Sequence, residues 1–254
     1  MQVLSIINKT NKRQKFIYKH YSKILRRKNR FLYIETCLDI LRHFLNLIGN
    51  KSGDGEAALR QSVFRGYSSL QAALLLAMSG HEMAAMSLLR DTIEVEILLD
   101  YFIKNPKELE IWWNCNRQTR LSKYNPSALR KAVTKDKNQL KRLNADYIAH
   151  CEIGTHPTPV SMVLDSSQVK DNKIEDSLHI YTSIIEVTFH AGRLTRPVAY
   201  IGSTLYPNSS RFFSNRMANL SSFSSNFHQD EKIAASLTLF RLRKSGKQIK
   251  GQIN

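Results

Sequence analysis

Three features of the 254-residue sequence predict an all-α protein, a helical bundle of about six or seven helices with a long basic N-terminal helix and a flexible C-terminal extension. Residues 68–104 form the most apolar stretch and repeat with helical, not strand, period. Elsewhere apolar residues recur every three or four positions between recognisable helix start and stop signals. A hydrophobic content of 42% with only 10 Gly and 6 Pro suits a helical globular chain and argues against wholesale disorder.

Residues 9–30 interleave Lys and Arg with Phe16, Ile17, Tyr18, Tyr21, Ile24 and Leu25. Phe31, Ile34, Leu38, Leu41, Leu45 and Ile48 then follow a 3-4-3-4-3 spacing, and Ile24 and Ile17 continue that seam backward at heptad intervals. One long helix from about residue 14 to 48 is expected, basic in its first half and core-facing in its second. Gly49 and the KSGDG loop end it, and Asp54 is the expected cap of a helix reaching about residue 79. Ser79-Gly80 is the expected break before the central helix. There Ala84, Ala85, Leu88, Val95, Leu99, Phe102 and Ile103 share one broad arc, which Met86, Leu89, Ile93 and Ile97 extend almost round the helix. Arg90 and Glu94 lie one turn apart on the opposite line, spaced to pair.

Asn105, Pro106 and Glu108 read as N-cap, first-turn proline and capping-box glutamate of a helix carrying Trp112 and Trp113. Asn125-Pro126 repeats the start signal for a helix reaching about residue 151. GTHPTP (154–159) must be loop, and residues 174–195 form a further amphipathic helix halted by Arg196-Pro197. Residues 206–227, rich in Ser and Asn without regular period, read as a mobile linker. A short helix at 231–243 leads into the tail RLRKSGKQIK. The expected organisation is a basic arm (1–30), a bundle core (31–200), a linker (201–229) and a short helix with a basic tail (230–254).

The net charge of +17 is unevenly placed. Residues 1–30 hold 10 Lys/Arg and residues 241–254 hold 5, with no acid in either, which leaves +2 for the rest. Lys12, Arg13, Lys15, Lys19, Lys23, Arg26, Arg27, Lys28 and Arg30 are therefore the candidate nucleic-acid-binding residues, contacting RNA or another single strand through its backbone. Phe16, Tyr18 and Tyr21 stand among them as stacking groups. Cys37, Cys115 and Cys151 are odd in number and widely spaced, which suits a reduced, cytoplasmic protein. The N-terminal apolar residues precede the positive charges, the reverse of a secretory signal, and no apolar run reaches the roughly 20 residues that span a bilayer. Integral membrane insertion is not expected. Membrane-surface attachment of the basic helix is an alternative, ranked last because the apolar and charged residues do not separate cleanly. A homodimer is expected if the seam from Ile17 to Ile48 outruns what its own bundle covers.

Tyr147, Cys151 and His156 form a second polar concentration, with His156 placed to act as acid, base or ligand. His150, Cys151, Glu152 and His156 match no standard zinc spacing, so no metal and no cofactor is expected. There is no P-loop, GxGxxG, HExxH or GxSxG, which leaves nucleotide hydrolysis, dinucleotide redox chemistry, zincin and serine hydrolase chemistry without support.

LLRDTIEVEILLDYF, followed about fifty residues later by Tyr-x-x-x-Cys-x-x-x-x-His-Pro, resembles a family of uncharacterised bacterial all-helical proteins known only as a domain of unknown function. That family stands close to HEPN-type helical bundles, many of which are ribonucleases of toxin and phage-defence systems. The resemblance covers residues 60–195 and implies Arg90, Glu94, Tyr147, Cys151 and His156 as matching positions, with Arg90, Glu94, Tyr147 and His156 as candidate catalytic residues of a metal-independent ribonuclease. Cys151 stands where Ser is expected from the resemblance, and the step from it to His156 is one residue too long. The HEPN nuclease pair, Arg and His four to six residues apart, is met by Arg13 and His20, a hit that 18 Arg and 8 His yield about once or twice by chance. The expected function is nucleic-acid or partner binding in defence or stress, with the ribonuclease and the membrane-surface protein as alternatives.

Overall fold

A computed structural model of the chain describes residues 29–49, 53–152 and 177–224, with Phe227 and positions 8, 11, 12, 15, 16 and 19. The described residues form an all-α bundle of nine α-helices and one 3₁₀ turn, without a strand. GTHPTP, residues 160–172, the helix expected at 231–243 and the basic tail lie outside the described residues, as do His156, Arg13, Lys23, Arg26, Arg27 and Lys28.

Helix α1 (Arg30–Ile48) buries Ile34, Leu41 and Ile48 of the expected seam and packs Phe31, Leu38 and Leu45 half-buried against the core, with Cys37, Ile40 and Phe44 from outside the seam fully buried beside them. Asn29 before it has φ 53° and ψ 22°, a left-handed conformation that no right-handed helix passes through. The single helix expected from about residue 14 to 48 is therefore broken at Asn29, a residue type enriched in that conformation. Arg30 is corrected too. It is 1% exposed, with its guanidinium carbon 4.3 Å from the Phe227 ring centroid, so it belongs to the interior and not to a phosphate-binding surface.

Helix α2 (Asp54–Met78) starts from Gly53, one residue before the expected cap. Asp54 sits in the first turn, where a carboxylate complements the helix dipole, and accepts a 2.8 Å bond from Asn114 Nδ2. Ser79-Gly80 is the turn, and Gly80 takes φ 75°. Helix α3 (Glu82–Lys104) then folds back on α2. Its buried residues are spread over more than one face because it serves two cores, although Ala84 of the expected arc is exposed. Leu89, Val95 and Leu99 join α1 and α2 in the larger one. Ile93, Ile97 and Phe102 join Tyr124, Leu129 and Val133 in a smaller one.

Helices α4 (Glu108–Asn114) and α5 (Arg117–Lys123) are short. The capping box does not form: Asn105 closes α3 instead, its Nδ2 donating to Tyr101 O at 3.1 Å. Glu108 accepts from Tyr124 Oη at 2.5 Å and pairs with Lys123 at 2.6 Å. Asn125 does cap α6 (Pro126–Val133), accepting from Ala128 N at 2.9 Å. The helix expected to reach about residue 151 is two, because Asp136 caps a fresh start for α7 (Lys137–His150).

Helix α8 (Ser177–Leu205) runs through Pro197, the expected stop. An interior proline costs about 3 kcal/mol. Val198 and Ala199, buried in the larger core just beyond it, supply the offsetting burial. Residues 206–224, expected as linker, fold as the 3₁₀ turn Pro207–Ser209 and helix α9 (Ser210–Ser224). Phe213 and Leu220 bury against the core, and Gly202 allows it: a Cβ there would stand 2.4 Å from Phe213 Cζ. No described helix is long and apolar enough to cross a membrane.

Candidate functional site

Helix α3 carries polar groups on two sides. Glu94 and Glu96 are two residues apart, hence about 200° apart round the helix, and each gathers its own cluster.

On the Glu94 side, three of the four candidate catalytic residues meet. Arg90 Nη2 and Nε lie 2.9 Å and 3.2 Å from Glu94 Oε1. Tyr147 Oη, from α7, donates to the same oxygen at 3.0 Å. Burial and then the Glu94 charge push the Tyr147 phenol up to about 12. Arg130 of α6 joins them: its guanidinium carbon is 4.2 Å from the Tyr147 ring centroid, and its Nε donates to Asn144 Oδ1 at 2.7 Å. The donors of Arg90 and Tyr147 converge on Glu94, which makes the cluster a brace between α3 and α7. Cys151, half-buried, continues α7 in a wider π-type turn. His156, the fourth candidate, lies outside the described residues.

On the opposite side, Glu96 is buried to 2% exposure in the company of α7 and α8. Its Oε1 is 2.9 Å from His190 Nδ1, and its Oε2 is 3.0 Å from Arg193 Nε. Arg193 Nη1 reaches Asp146 Oδ2 at 2.5 Å, so one guanidinium spans two carboxylates from two helices. Asp146 Oδ1 faces His190 Nε2 at 3.8 Å and His150 Nδ1 at 3.6 Å. His150 Nδ1 also lies 3.0 Å from the Asp146 backbone carbonyl, and the two imidazoles meet edge to face at 5.0 Å. Glu186 Oε2 stands 3.9 Å from His190 Nε2.

The two histidines are driven apart. Burial and the positive charge of His190 depress His150 to about 4. Burial opposes protonation of His190 as well, but the charge and hydrogen bond of Glu96 outweigh it and raise its pKa. Asp146 is held below the usual carboxylate range: burial works against it, and His190, His150 and Arg193 prevail. The carboxyl of Asp100, one turn beyond Glu96 and solvent-accessible, is raised by desolvation within the cleft and by the Glu96 charge. Glu96, Asp146, Glu186 and Arg193 of this cluster line an open cleft of about 1020 Å³, together with Arg142 and Arg196, and the two imidazoles sit behind them.

None of Glu96, Asp146, His190 or Arg193 is among the candidates that the sequence suggests, and His150 is grouped there with its chain neighbours instead. One signal is present: Asp146/His150 and Glu186/His190 are both carboxylate–histidine pairs four residues apart on amphipathic helices.

Besides Arg30, the basic candidates Lys12, Lys15 and Lys19 are described. All three are helical and exposed, and they share one face with Phe16, itself 49% exposed. No family model, no curated protein and no solved structure matches the chain.

Proposed function

We propose that the protein binds the phosphate backbone of single-stranded nucleic acid through its basic N-terminal arm. The observation that carries this is the exposed helical face bearing Lys12, Lys15 and Lys19 around Phe16. Positive charges at that spacing release counterions from a phosphate chain, and the phenyl ring offers a stacking surface for an unpaired base. The placement of 10 Lys/Arg and no acid in residues 1–30 gives the same arm a charge that the nearly neutral body lacks. Binding of this kind reads charge and single-strandedness, not sequence. The resemblance to HEPN-like bundles would make the same strand a substrate. The mutual pairing of Arg90, Glu94 and Tyr147 fits a brace better than a cleavage site, which favours binding over cleavage.

Fluorescence anisotropy of a labelled single-stranded RNA tests it at low salt. The triple variant Lys12→Ala, Lys15→Ala, Lys19→Ala is expected to bind at least roughly tenfold more weakly than the native chain, with an unchanged Tm. Equal affinity in the two proteins would refute the assignment of the arm. Cleavage of the RNA, lost in Arg90→Ala, would favour the ribonuclease instead.

A further inference from the structure

Behind the cleft wall lies an arrangement that the nucleic-acid reading does not use and that does not depend on it. Both imidazoles have their Nδ1 atoms engaged by oxygens: His190 by the Glu96 carboxylate at 2.9 Å, His150 by the Asp146 carbonyl at 3.0 Å. A carbonyl or carboxylate oxygen only accepts, so the ring form that binds a metal, reached by His190 on loss of its second proton, carries its hydrogen on Nδ1 and its lone pair on Nε2. Both Nε2 atoms are buried and neither has a hydrogen-bond partner among the described residues. Buried polar atoms without a partner are uncommon, and two in one cluster point to a bound ion or water.

Asp146 completes the set. Its Oδ2 is held by Arg193, which leaves Oδ1 on the histidine side. One ligand atom from each of Asp146, His150 and His190 lies within 4.8 Å of the others. Donors bound at about 2.1 Å to one ion stand roughly 3.4 Å apart, so binding requires side-chain rotation that draws the three ligand atoms together. Asp146 and His150 come from successive turns of α7 and so project from one face, while His190 arrives from α8. The supporting interactions that orient metal ligands are also present: Glu96 fixes the His190 ring, and Arg193 fixes the Asp146 carboxylate.

We propose that Asp146, His150 and His190 bind one divalent transition-metal ion of the zinc class, reached from the cleft past Asp146. Two imidazoles and one carboxylate suit Zn²⁺, Co²⁺ or Fe²⁺ and not Mg²⁺ or Ca²⁺, which seek oxygen ligands. Glu96, Asp146, Glu186 and Arg193 together carry two net negative charges, which one divalent ion balances. Asp146, at 21% side-chain exposure, gives the ion a way in from solvent. A three-ligand set with open positions is the form of a catalytic rather than a structural zinc site.

The test uses the full-length, tag-free chain stripped with a chelator. One equivalent of Zn²⁺ is expected to bind by titration calorimetry, and Co²⁺ is expected to give the visible bands of a four- or five-coordinate ion. Excess Mg²⁺ should displace neither. Asp146→Asn and His150→Gln should each weaken Zn²⁺ binding about 10- to 100-fold. X-ray absorption on the native zinc-loaded chain gives a readout that needs no variant: two imidazole nitrogens at about 2.0–2.1 Å are expected. Absence of stoichiometric binding, affinity unchanged in both variants, or a zinc shell without imidazole would each overturn the site.

Discussion

Glu96 is a carboxylate buried on a helix whose other buried groups are almost all apolar, and its position is tolerable only because His190 and Arg193 compensate it. Removing one partner of such a group leaves a charge without a counter-charge and costs about 3–5 kcal/mol. Arg193→Met is therefore expected to lower unfolding stability by that amount in urea titrations; a loss near zero would mean that Glu96 and Asp146 are compensated elsewhere. The phenols of Tyr124 and Tyr147, pushed up to about 12, are expected to ionise late in an absorbance titration. A tyrosine whose folded pKa lies above its unfolded value near 10 adds stability that is fully present below about pH 10. That stability is lost as pH rises from about 10 to about 12. Ionisation of every tyrosine near pH 10 would contradict the burial and carboxylate partners assigned to these two. The pairing of Arg90 with Glu94 is legible in the sequence because it is local, one turn apart, and Tyr147 enters through the resemblance. Glu96 and His190 are not legible, because 94 residues separate them and only the packing of α3 against α8 joins them.

Helices come through wherever apolar spacing alone decides. The face of α1, the turn at Gly80 and the burial of α3 on more than one face follow from periodicity and one glycine. Local signals mislead where tertiary packing overrides them. Pro197 reads as a stop, but the chain beyond it buries Val198 and Ala199 and so stays helical. The Ser- and Asn-rich segment reads as linker, but two side chains, Phe213 and Leu220, suffice to dock α9. The continuous basic helix fails for the reverse reason, since heptad spacing says nothing of a left-handed residue at Asn29. The close approach of α9 to α8 depends on the missing side chain at residue 202. Gly202→Ala is expected to cost about 1–3 kcal/mol by overpacking against Phe213, measured as a shift in the urea midpoint. A neutral effect would show that α9 moves away at no cost.

At the scale of the molecule, charge and fold are divided. The braced bundle holds its polar groups in pairs and networks, and the charge that could reach a distant polyanion lies in the basic ends. This division is legible in the sequence, since net charge needs only counting; the cleft is not, because its walls come from α3, α7 and α8. The measurement that tests the central claim most directly is the salt dependence of single-stranded RNA binding, native chain against the triple lysine variant. Each phosphate neutralised on a single strand contributes about 0.7 to the slope of log affinity against log salt. Removing three lysines that each neutralise one phosphate should therefore reduce that slope by about 2. A slope equal in the two proteins, or no salt dependence at all, would contradict binding through the arm.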